Sequence, residues 1–523
     1  MGLTRADLPL HQLLRDKAFD EPDRVAIVFG DRRLTFADLD TESNQLAHGL
    51  RGLGLQGGDR LALFTPNCTE FVVGFYAASK LGAIACPLNS SYLEREITYQ
   101  LNDSGATILI AHAKLWPVIE ASRSQLTRLR QIVIVGDGET TSLPGVTRYQ
   151  DVIVGQSTDP PLDQIDPDQL AALPYSSGTT GLPKGVMLTH RNLVSNQIQY
   201  SLANKIGPDD CYIIYMPLSH IYGMLLMGTS IHSGAKQILL ERFDLEAVVR
   251  LIREHRVTVL FVVPPILRLL ADAPGLEPSQ FSTVRFAFSA AAPLAVDVAR
   301  RVEARLGLRV IQGYGLTEAS PATHNSPLHP GGIRLESGGL LVADTEHKIM
   351  DLQTGERSVT LGKIGEILVR GPQVMQGYWN APEESARVLR GGWLHTGDIG
   401  WIDEEGYVYI VDRKKEMIKY KSFSIAPAEL EAVVLEHPDV ADCGVTGVKD
   451  GEAGEVPKAF VVPREGCDID LDHLACFVAE RVAGYKQIRH FELVDKIPRT
   501  TAGKLLRRML KTMTAASTGR LRS

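Results

Sequence analysis

The sequence predicts an α/β fold with two domains, on three observations. The 523-residue chain is 44% hydrophobic and 22% charged, enough to bury the cores of more than one domain. Short apolar runs alternate with helix-periodic segments through the first half, which is the βαβ pattern of largely parallel sheets with helices. After about Gly338 the pattern changes to alternating strands of a small β subdomain and then to a compact α+β unit.

The elements of the first half follow from these patterns in chain order. Strands are predicted at residues 60–64, 83–86, 107–110, 259–263, 285–288 and 309–311, and helices at 70–81, 93–101, 246–255 and 293–306. Thr189 follows an apolar strand edge at 186–188 and is expected to cap the next helix. Residues 136–168 are rich in Gly, Pro, Asp and Thr and predict a long surface excursion.

The second part of the chain predicts a smaller domain. Strands are expected at 364–369 and 407–411, followed by a charged segment at 412–416. Beyond this segment the pattern indicates helices at 427–437 and 471–482, strands at 443–448 and 458–462, and a last helix after Gly503. The composition therefore favours an N-terminal domain at 1–414 and a C-terminal domain at 415–523.

Charge and cysteine usage narrow the class of protein. The net charge is -7 and the isoelectric point is near 6.1, which argues against nucleic acid or an anionic membrane as the main partner. No apolar stretch approaches the ~20 residues of a membrane span. The six cysteines form no CxxC pair and no Cys/His cluster, so we expect reduced thiols and a cytoplasmic protein.

The most informative motif is the run LPYSSGTTGLPKG at residues 173–185. It combines hydroxyls, glycines and a lysine, the composition that wraps backbone N–H groups around a polyphosphate. ATP is the obvious ligand. A flexible linker has a similar composition, but here ordered elements are predicted on both sides. The run is not a Walker A motif, because Lys184 is followed by Gly185 rather than Ser or Thr.

Five further motifs follow the loop in order: QGYGLTE (312–318), GWLHTGD (392–398), VDR (411–413), IKYK (418–421) and PRTTAGK (498–504). Together the six motifs strongly resemble the adenylate-forming superfamily of acyl-CoA synthetases, peptide-synthetase adenylation domains and luciferases. The segments MPLSHIY (216–222), VPP (263–265) and SAAAPL (289–294) look most like 4-coumarate:CoA ligase and its aryl or medium-chain acyl-CoA ligase relatives.

This resemblance implies a two-step reaction with ATP, Mg²⁺ and coenzyme A. A carboxylic acid attacks the α-phosphate of ATP to give acyl-AMP and pyrophosphate, and the acyl group then passes to CoA. Transfer to an amine or to a carrier-protein thiol stays open as the alternative. A non-catalytic sensor is disfavoured because the matching residues Glu318, Asp398 and Lys504 are all present. The oligomeric state is open.

The resemblance also assigns the nucleotide site. The residues expected to hold the β- and γ-phosphates are Ser176, Ser177, Gly178, Thr179, Thr180 and Lys184. The residues expected around the rest of the nucleotide are Gln312, Gly313 and Tyr314 at the adenine, Asp398 with Arg413 at the ribose, Thr317 at the α-phosphate, and Lys419. Glu318, with Thr180, would bind Mg²⁺, a hard cation that prefers oxygen ligands. Lys504 would bridge the carboxylate and the α-phosphate.

The acyl pocket and the CoA side rest on the same resemblance. The residues expected to line the pocket are Tyr222, Phe288, Ala291, Gly313, Gly315, Pro321 and Ala322, with His220 beside it. A bulky Phe288 would shorten this pocket, while the small residues leave a flat slot for aryl, arylpropenoic or medium-chain acids.

Domain rotation between the two steps is implied as well. The hinge position of the family matches Lys415, and Arg242 with Lys421 would approach CoA. The chain departs from the family's usual pattern at Ser422, which replaces a glycine where pantetheine passes. A Cβ there is expected to narrow the tunnel, unless the exchange is harmless drift.

Overall fold

The computed structural model describes residues 6–137, 143–176, 183–352, 355, 357–414, 416–420, 423–450, 453–482, 484–500 and 503–519. Within these residues the helices, in chain order, are α1 (Leu10–Asp20), α2 (Phe36–Gly52), α3 (Thr69–Lys80), α4 (Glu94–Ser104), α5 (Trp116–Ser122), α6 (Tyr149–Ile153), α7 (His190–Asn204), α8 (Ile221–Ser233), α9 (Leu245–His255), α10 (Pro264–Asp272), α11 (Val296–Leu306), α12 (Pro382–Val388), α13 (Pro427–Leu435), α14 (Leu471–Ala479) and α15 (Arg507–Gly519).

The strands of the N-terminal region are β1 (Val25–Phe29), β2 (Arg32–Thr35), β3 (Arg60–Phe64), β4 (Ile84–Pro87), β5 (Ile108–His112), β6 (Gln131–Val135), β7 (Val146–Arg148), β8 (Leu170–Ala172), β9 (Tyr175–Ser176), β10 (Lys184–Thr189), β11 (Cys211–Ile214), β12 (Lys236–Leu239), β13 (Val259–Val262), β14 (Phe286–Ser289), β15 (Val310–Gly315), β16 (Ala322–Asn325) and β17 (Leu340–Leu341). Those that follow are β18 (Glu346–Met350), β19 (Gly365–Arg370), β20 (Gly377–Tyr378), β21 (Leu389–Arg390), β22 (Trp393–Ile402), β23 (Val408–Arg413), β24 (Ile418–Tyr420), β25 (Phe423–Ile425), β26 (Val440–Asp450), β27 (Gly454–Pro463) and β28 (His490–Leu493).

Two large sheets form the body of the N-terminal domain. The first has the strand order β17-β16-β15-β14-β13-β11-β12-β1-β2 and is parallel from β15 to β1. The second has the order β20-β10-β8-β4-β3-β5-β6-β7, with β9 also paired to β10, and is parallel from β8 to β7. Every residue of β13 is buried, as expected for parallel strands covered on both faces.

Two smaller sheets complete the fold and confirm the predicted class. The third sheet has the order β18-β19-β22-β21 with β23 on β22, and it is antiparallel throughout the described pairs. The fourth has the order β25-β24-β27-β26 with β28 on β27, and α13 and α14 cover it to form the small C-terminal unit. The observed order is therefore a large α/β domain, a small β subdomain and a small α+β domain.

The start of α7 agrees with the sequence in detail. Thr189 caps the helix: its hydroxyl accepts from the backbone N of Asn192 at 3.1 Å, and the Asn192 side chain accepts from the backbone N of Thr189 at 2.9 Å. This reciprocal pair satisfies two N–H groups that a helix start leaves without partners. It fixes α7 directly after β10, the strand that begins at Lys184.

The segment 136–168 is more ordered than a surface excursion. Where the structure describes it, β7 extends the second sheet beside β6, with Ile132 opposite Val146. Tyr149 and Val152 of α6 are buried against the core. The apolar contacts of β7 and α6 therefore determine the structure of these parts of the segment, although the segment as a whole has a polar composition.

The C-terminal unit packs against α10 of the N-terminal domain. Arg268 Nη1 donates to the carbonyl O of Ala441 at 2.6 Å. Gly503 lies so close to Pro265 that a Cβ at residue 503 would be 2.8 Å from the Pro265 Cγ, and its φ is +80°. Both properties require glycine at this position.

Candidate active site

A buried carboxylate, Asp398, lies within β22 and is 3% exposed. Tyr314 Oη donates to its Oδ2 at 2.6 Å, and Arg413 Nε lies 3.1 Å from its Oδ1. Strands β22 and β23 place Asp398 opposite Arg413, so sheet register sets up the ion pair. Burial and the adjacent Asp398 charge raise the pKa of Tyr314 well above its ordinary value, and the phenol stays a donor.

The end of β15 brings the QGYG residues to the same edge. Gln312 Nε2 donates to the carbonyl O of Leu335. A Cβ on Gly313 would lie 2.6 Å from the Phe288 ring, and one on Gly315 would lie 2.2 Å from the carbonyl O of Pro321. These two glycines are required by contacts within the protein, in addition to any space they leave for a ligand.

Glu318 lies just beyond β15, in the short helical turn that Thr317 begins. Both residues are half-buried. The Glu318 Oε1 accepts from Ser176 Oγ at 3.2 Å and from Tyr378 Oη at 2.9 Å. The structure thus connects the first residue of the predicted phosphate set to the carboxylate. The predicted residues Ser177, Gly178, Thr179 and Thr180 lie outside the described residues.

The carboxylate of Glu318 fits the predicted Mg²⁺ in its chemistry. Among the described residues, no group of three or more His, Cys, Asp or Glu side chains is arranged to hold a metal ion. Mg²⁺ at nucleotide sites commonly needs only one or two carboxylates, with phosphate oxygens and water as its other ligands. A single acid whose Oε1 is already anchored meets that requirement.

Lys184 begins β10 and points toward the same region. Its Nζ lies 3.5 Å from Glu384 Oε1 and 5.5 Å from the centroid of the Tyr378 ring. The Lys184 side chain is 18% exposed. The ammonium is therefore accessible and lies between an acid and an aromatic face.

Lys504 reaches this site from the C-terminal unit. Its backbone N donates to Thr500 Oγ1 at 3.0 Å, and its carbonyl O accepts from the backbone N of Thr500 at 2.8 Å. Burial and the charge of Arg413 lower the pKa of Lys504, whereas the carboxylates of Asp398, Glu416 and Glu318 act in the opposite direction. The ammonium is therefore close enough to Asp398, Arg413 and Glu318 of the N-terminal domain, and to Glu416, for their charges to act on it.

His220, which the sequence predicts beside the acyl pocket, is close enough to Lys504 for its charge to act on the imidazole. Its Nδ1 accepts from the backbone N of Tyr222 at 3.2 Å and so caps α8. Burial and the charge of Lys504 lower the pKa of His220 to about 4, so the imidazole is neutral near pH 7. The residue has both the structural role of a cap and a position facing Lys504.

The predicted acyl-pocket residues lie on α8, on β14 and in the segment after it, on β15 and at the start of β16. Tyr222 and Phe288 are buried, and the Phe288 ring packs edge-on against Tyr200 at 5.4 Å. Ala291 is exposed and has φ +72°, a left-handed conformation that is unusual for alanine. Pro321 follows Ser320, and the backbone N of Ala322 donates to Asn196 Oδ1 at 2.9 Å.

Of the residues predicted on the CoA side, Arg242 lies within the described residues; it follows β12 and is exposed. Lys419, predicted to contact the nucleotide, is exposed on β24. The predicted hinge Lys415 and the residues Lys421 and Ser422 lie outside the described residues. The structure therefore supplies no contact for these three predictions.

Comparison with known proteins identifies the family. The model of the AMP-binding enzyme family matches residues 14–379, and the AMP-binding enzyme C-terminal domain matches residues 429–504. The chain belongs to the AMP-binding enzyme family. The resemblance to adenylate-forming enzymes predicted from the six motifs is confirmed.

Relatives of this AMP-binding enzyme cover nearly its whole length. The 4-coumarate–CoA ligase 1 of Solanum tuberosum is 38% identical over 525 residues, which cover 97% of this chain and 94% of that protein. The solved anthranilate CoA ligase AuaEII, in complex with anthranoyl-AMP, has a TM-score of 0.91 at 28% identity and covers 99% of each chain. The amide bond synthetase McbA from Marinactinospora thermotolerans has a TM-score of 0.86 at 27% identity and covers 97% of this chain and 100% of its own.

All six cysteines of this AMP-binding enzyme are free, as expected from their spacing. No helix among the described residues is long and apolar enough to cross a membrane.

Two site residues, Tyr378 and Glu384, were missed by sequence reasoning because neither belongs to a predicted motif.

Proposed function

We propose that this AMP-binding enzyme activates a carboxylic acid with ATP, releases pyrophosphate, and transfers the acyl group of acyl-AMP to coenzyme A. The observation that best supports this function is the position of Lys504: the adjacent Gly503 packs against Pro265 of α10, and the charges of Asp398 and Glu318 in the N-terminal domain act on the Lys504 pKa. The C-terminal domain thus places a lysine beside the proposed nucleotide-binding residues of the N-terminal domain. Its positive charge can hold together two anions that must react with each other.

In the first step, the acid carboxylate attacks the α-phosphate and pyrophosphate leaves. Negative charge develops on the phosphoryl oxygens, and positioning with electrostatic stabilisation is the main catalytic contribution. Lys504 holds the two reacting anions together, while Thr317 contacts the α-phosphate. Glu318, with Thr180, would hold Mg²⁺, which would neutralise part of the phosphate charge when bound.

The nucleotide is held by residues whose own contacts limit their movement. Asp398 accepts hydrogen bonds from the ribose hydroxyls. Its orientation is set by its contacts with Tyr314 and Arg413. Gln312 and Gly313 line the adenine at the end of β15. Ser176 and Lys184, with the loop residues between them, hold the β- and γ-phosphates.

The acid enters the pocket beside Ala291 with its carboxylate toward His220 and Lys504. The neutral imidazole of His220 adds no charge that would oppose Lys504. Phe288 limits the depth of the pocket, and we therefore favour an aryl, arylpropenoic or slender medium-chain acid. This substrate class agrees with the names of the relatives, which include 4-coumarate–CoA and anthranilate CoA ligases.

The second step requires that Lys504 leaves the site. We place the domain boundary at 414/415 with Lys415 as the hinge. Asp412, on the N-terminal side of that hinge, accepts from the backbone N of Ala428 at 2.9 Å, so rotation breaks or rearranges this contact. CoA then approaches past Arg242, Lys421 and Ser422.

A pyrophosphate-release screen over a panel of carboxylic acids, each with and without CoA, tests the function. At least one aryl, arylpropenoic or medium-chain acid is expected to release pyrophosphate, and CoA should accelerate turnover by consuming acyl-AMP. Absence of release with every acid of these classes would contradict adenylation.

The second candidate function is amide bond formation, favoured by the full-length structural match to McbA. Adding amines in place of CoA separates the two acceptors. With CoA as acceptor, Ser422→Gly should form thioester at least as fast as the wild type, with unchanged pyrophosphate exchange. Robust amide formation, with CoA acting poorly even in Ser422→Gly, would favour the synthetase instead.

A further inference from the structure

Tyr378 touches two groups of the phosphate site, although it lies outside every motif. It is half-buried and ends the short strand β20. Its hydroxyl donates to Glu318 Oε1 at 2.9 Å, and the face of its ring lies 5.5 Å from Lys184 Nζ. One side chain thus contacts both the acid and the cation expected to receive the triphosphate.

The backbone around Tyr378 is fixed relative to Lys184. Strand β20 pairs with β10, the strand that Lys184 begins, and Tyr378 lies opposite Val186. The backbone N of Tyr378 donates to Ser385 Oγ at 2.8 Å, and the backbone N of Trp379 donates to the carbonyl O of Gly185 at 2.8 Å. The phenol is therefore carried on the same strand pair as the lysine.

Both donors to Glu318 act on the same oxygen. Ser176 Oγ at 3.2 Å and Tyr378 Oη at 2.9 Å meet Oε1, and within the part of the chain that the structure describes no hydrogen bond reaches Oε2. Anchoring one oxygen restricts rotation of the carboxylate and leaves the other without a hydrogen bond to the described residues. Hydrogen bonds to a charged acceptor are the stronger kind, so the restriction is substantial.

We propose that Tyr378 is a positioning residue that holds the Glu318 carboxylate and the Lys184 ammonium in fixed relation, so that they receive the metal-bound triphosphate together. The ring face stabilises the lysine and the hydroxyl orients the acid. This role rests on the proposed adenylation function. It predicts that Tyr378 affects the metal-dependent part of ATP binding, acting through Glu318.

Calorimetric titration of ATP tests the proposal in the presence of Mg²⁺ and in EDTA. Tyr378→Phe keeps the ring and removes only the hydroxyl. It should weaken ATP binding with Mg²⁺ about 10-fold, the effect of one hydrogen bond to a charged group, and should leave binding in EDTA unchanged within about 2-fold. An equal loss with and without Mg²⁺ would overturn the proposal and leave Tyr378 a structural role only.

The double variant with Glu318→Gln separates positioning from a general effect. Because Tyr378 acts through Glu318, the Tyr378→Phe, Glu318→Gln double variant should bind Mg²⁺-ATP no more weakly than Glu318→Gln alone. Fully additive losses would contradict the coupling. Tyr409→Phe in β23 is the matched control, since its hydroxyl donates to Asp403 Oδ2 at 3.2 Å and accepts from Arg334 Nη1 at 3.3 Å, and neither residue is assigned to the nucleotide.

Two further measurements keep the outcomes distinct. If Tyr378→Phe does not fold, Ser176→Ala removes the other donor to Oε1. Because Ser176 also belongs to the proposed phosphate set, ATP binding should weaken in both conditions, and more with Mg²⁺ than in EDTA. Equal weakening in both conditions, or weakening in EDTA alone, would overturn the proposal. Failure of the proposed function itself would appear in the wild type, as absent pyrophosphate release with every acid, whereas ATP titration would still report on Tyr378.

Discussion

The proposed nucleotide side and the proposed acyl side of this site are built in different ways. The nucleotide side (Glu318, Asp398, Arg413 and Lys504) consists of charged groups, and each described carboxylate is anchored by a tyrosine hydroxyl. The acyl side (Tyr222, Phe288 and Ala291) consists of aromatic packing and close backbone contact, as at Phe288 and Gly313.

The difference explains what each side can tolerate. Each charged group works only when a hydrogen bond holds it in the correct position. Deleting one such group should therefore lower the rate strongly, whereas a small change of side-chain volume elsewhere should not. Packed aromatic groups act through shape, so a change of one ring alters which acid fits and leaves the ATP contacts in place. The following variants test that separation, beginning with the largest expected effect.

Lys504→Ala should lower acyl-adenylate formation by at least the ~100- to 1000-fold typical of losing one stabiliser of transition-state charge. No other described residue is placed to bridge the two anions in its stead. Pyrophosphate exchange measures the first step, and thioester formation from synthetic acyl-AMP measures the second and should persist. Equal losses in both steps would refute the assignment of Lys504 to adenylation.

Phe288→Leu should change acid preference about 10-fold toward longer acids, the effect of a few carbon atoms in an apolar pocket. The KM for ATP should stay unchanged because the contacts of Asp398 are not involved. Ratios of kcat/KM across an acid series measure the shift. Phe261→Leu, which removes the same volume from the neighbouring strand, is the control and should lower stability without altering preference; a shift there as well would break the comparison.

His220 lies between the two proposed sides. Its pKa depends on how close the Lys504 ammonium is to the imidazole. Removing the Lys504 charge in Lys504→Ala should raise the His220 pKa from about 4, while burial keeps it below the ordinary value of 6.5. Because the folded pKa is depressed, neutral His220 contributes stability above pH 6.5 that is lost as the pH falls toward 4, about 1.4 kcal/mol per pH unit.

Histidine NMR titration, with His220→Asn to assign the resonance, measures this shift. An unchanged His220 pKa in Lys504→Ala would show that the lysine is not near the ring in solution. The pH dependence of unfolding in His220→Asn is the second check, since this variant should lose the acid sensitivity contributed by the imidazole.

Ala291→Gly should have the smallest effect. A left-handed backbone costs alanine about 1 kcal/mol, and glycine removes that strain but loses more entropy on folding. We expect the free energy of unfolding to rise by less than about 1 kcal/mol, measured by denaturant titration. A clear loss of stability would contradict the strain inferred from φ +72°.

The sequence predicts more residues of the proposed nucleotide side than of the proposed acyl side, and the reason is physical. Charged chemistry depends on residue type at motif positions, so Asp398, Glu318 and Lys504 could be selected directly from their motifs. Local patterns also predicted α3 and the Thr189 cap, because both depend on neighbours within one turn. Their roles in catalysis stay predictions.

Long-range strand pairing accounts for what the sequence did not reveal. Tyr378 meets Glu318 across 60 positions of chain, and Glu384 reaches Lys184 from a helix 200 residues away. The depth of the acyl pocket likewise depends on how the Phe288 ring packs against Gly313 and Tyr200. No periodicity in the chain encodes those contacts.

The close approach of Gly503 to Pro265 has a consequence for tolerance to mutation. Any side chain at residue 503 would push the lysine-bearing loop away from α10, in addition to straining a backbone at φ +80°. If Lys504 leaves the site before thioester formation, this constraint applies during only one half of each turnover. The clash with Pro265 would then act only in the adenylation half of the cycle, whereas the backbone strain at φ +80° would act in both halves.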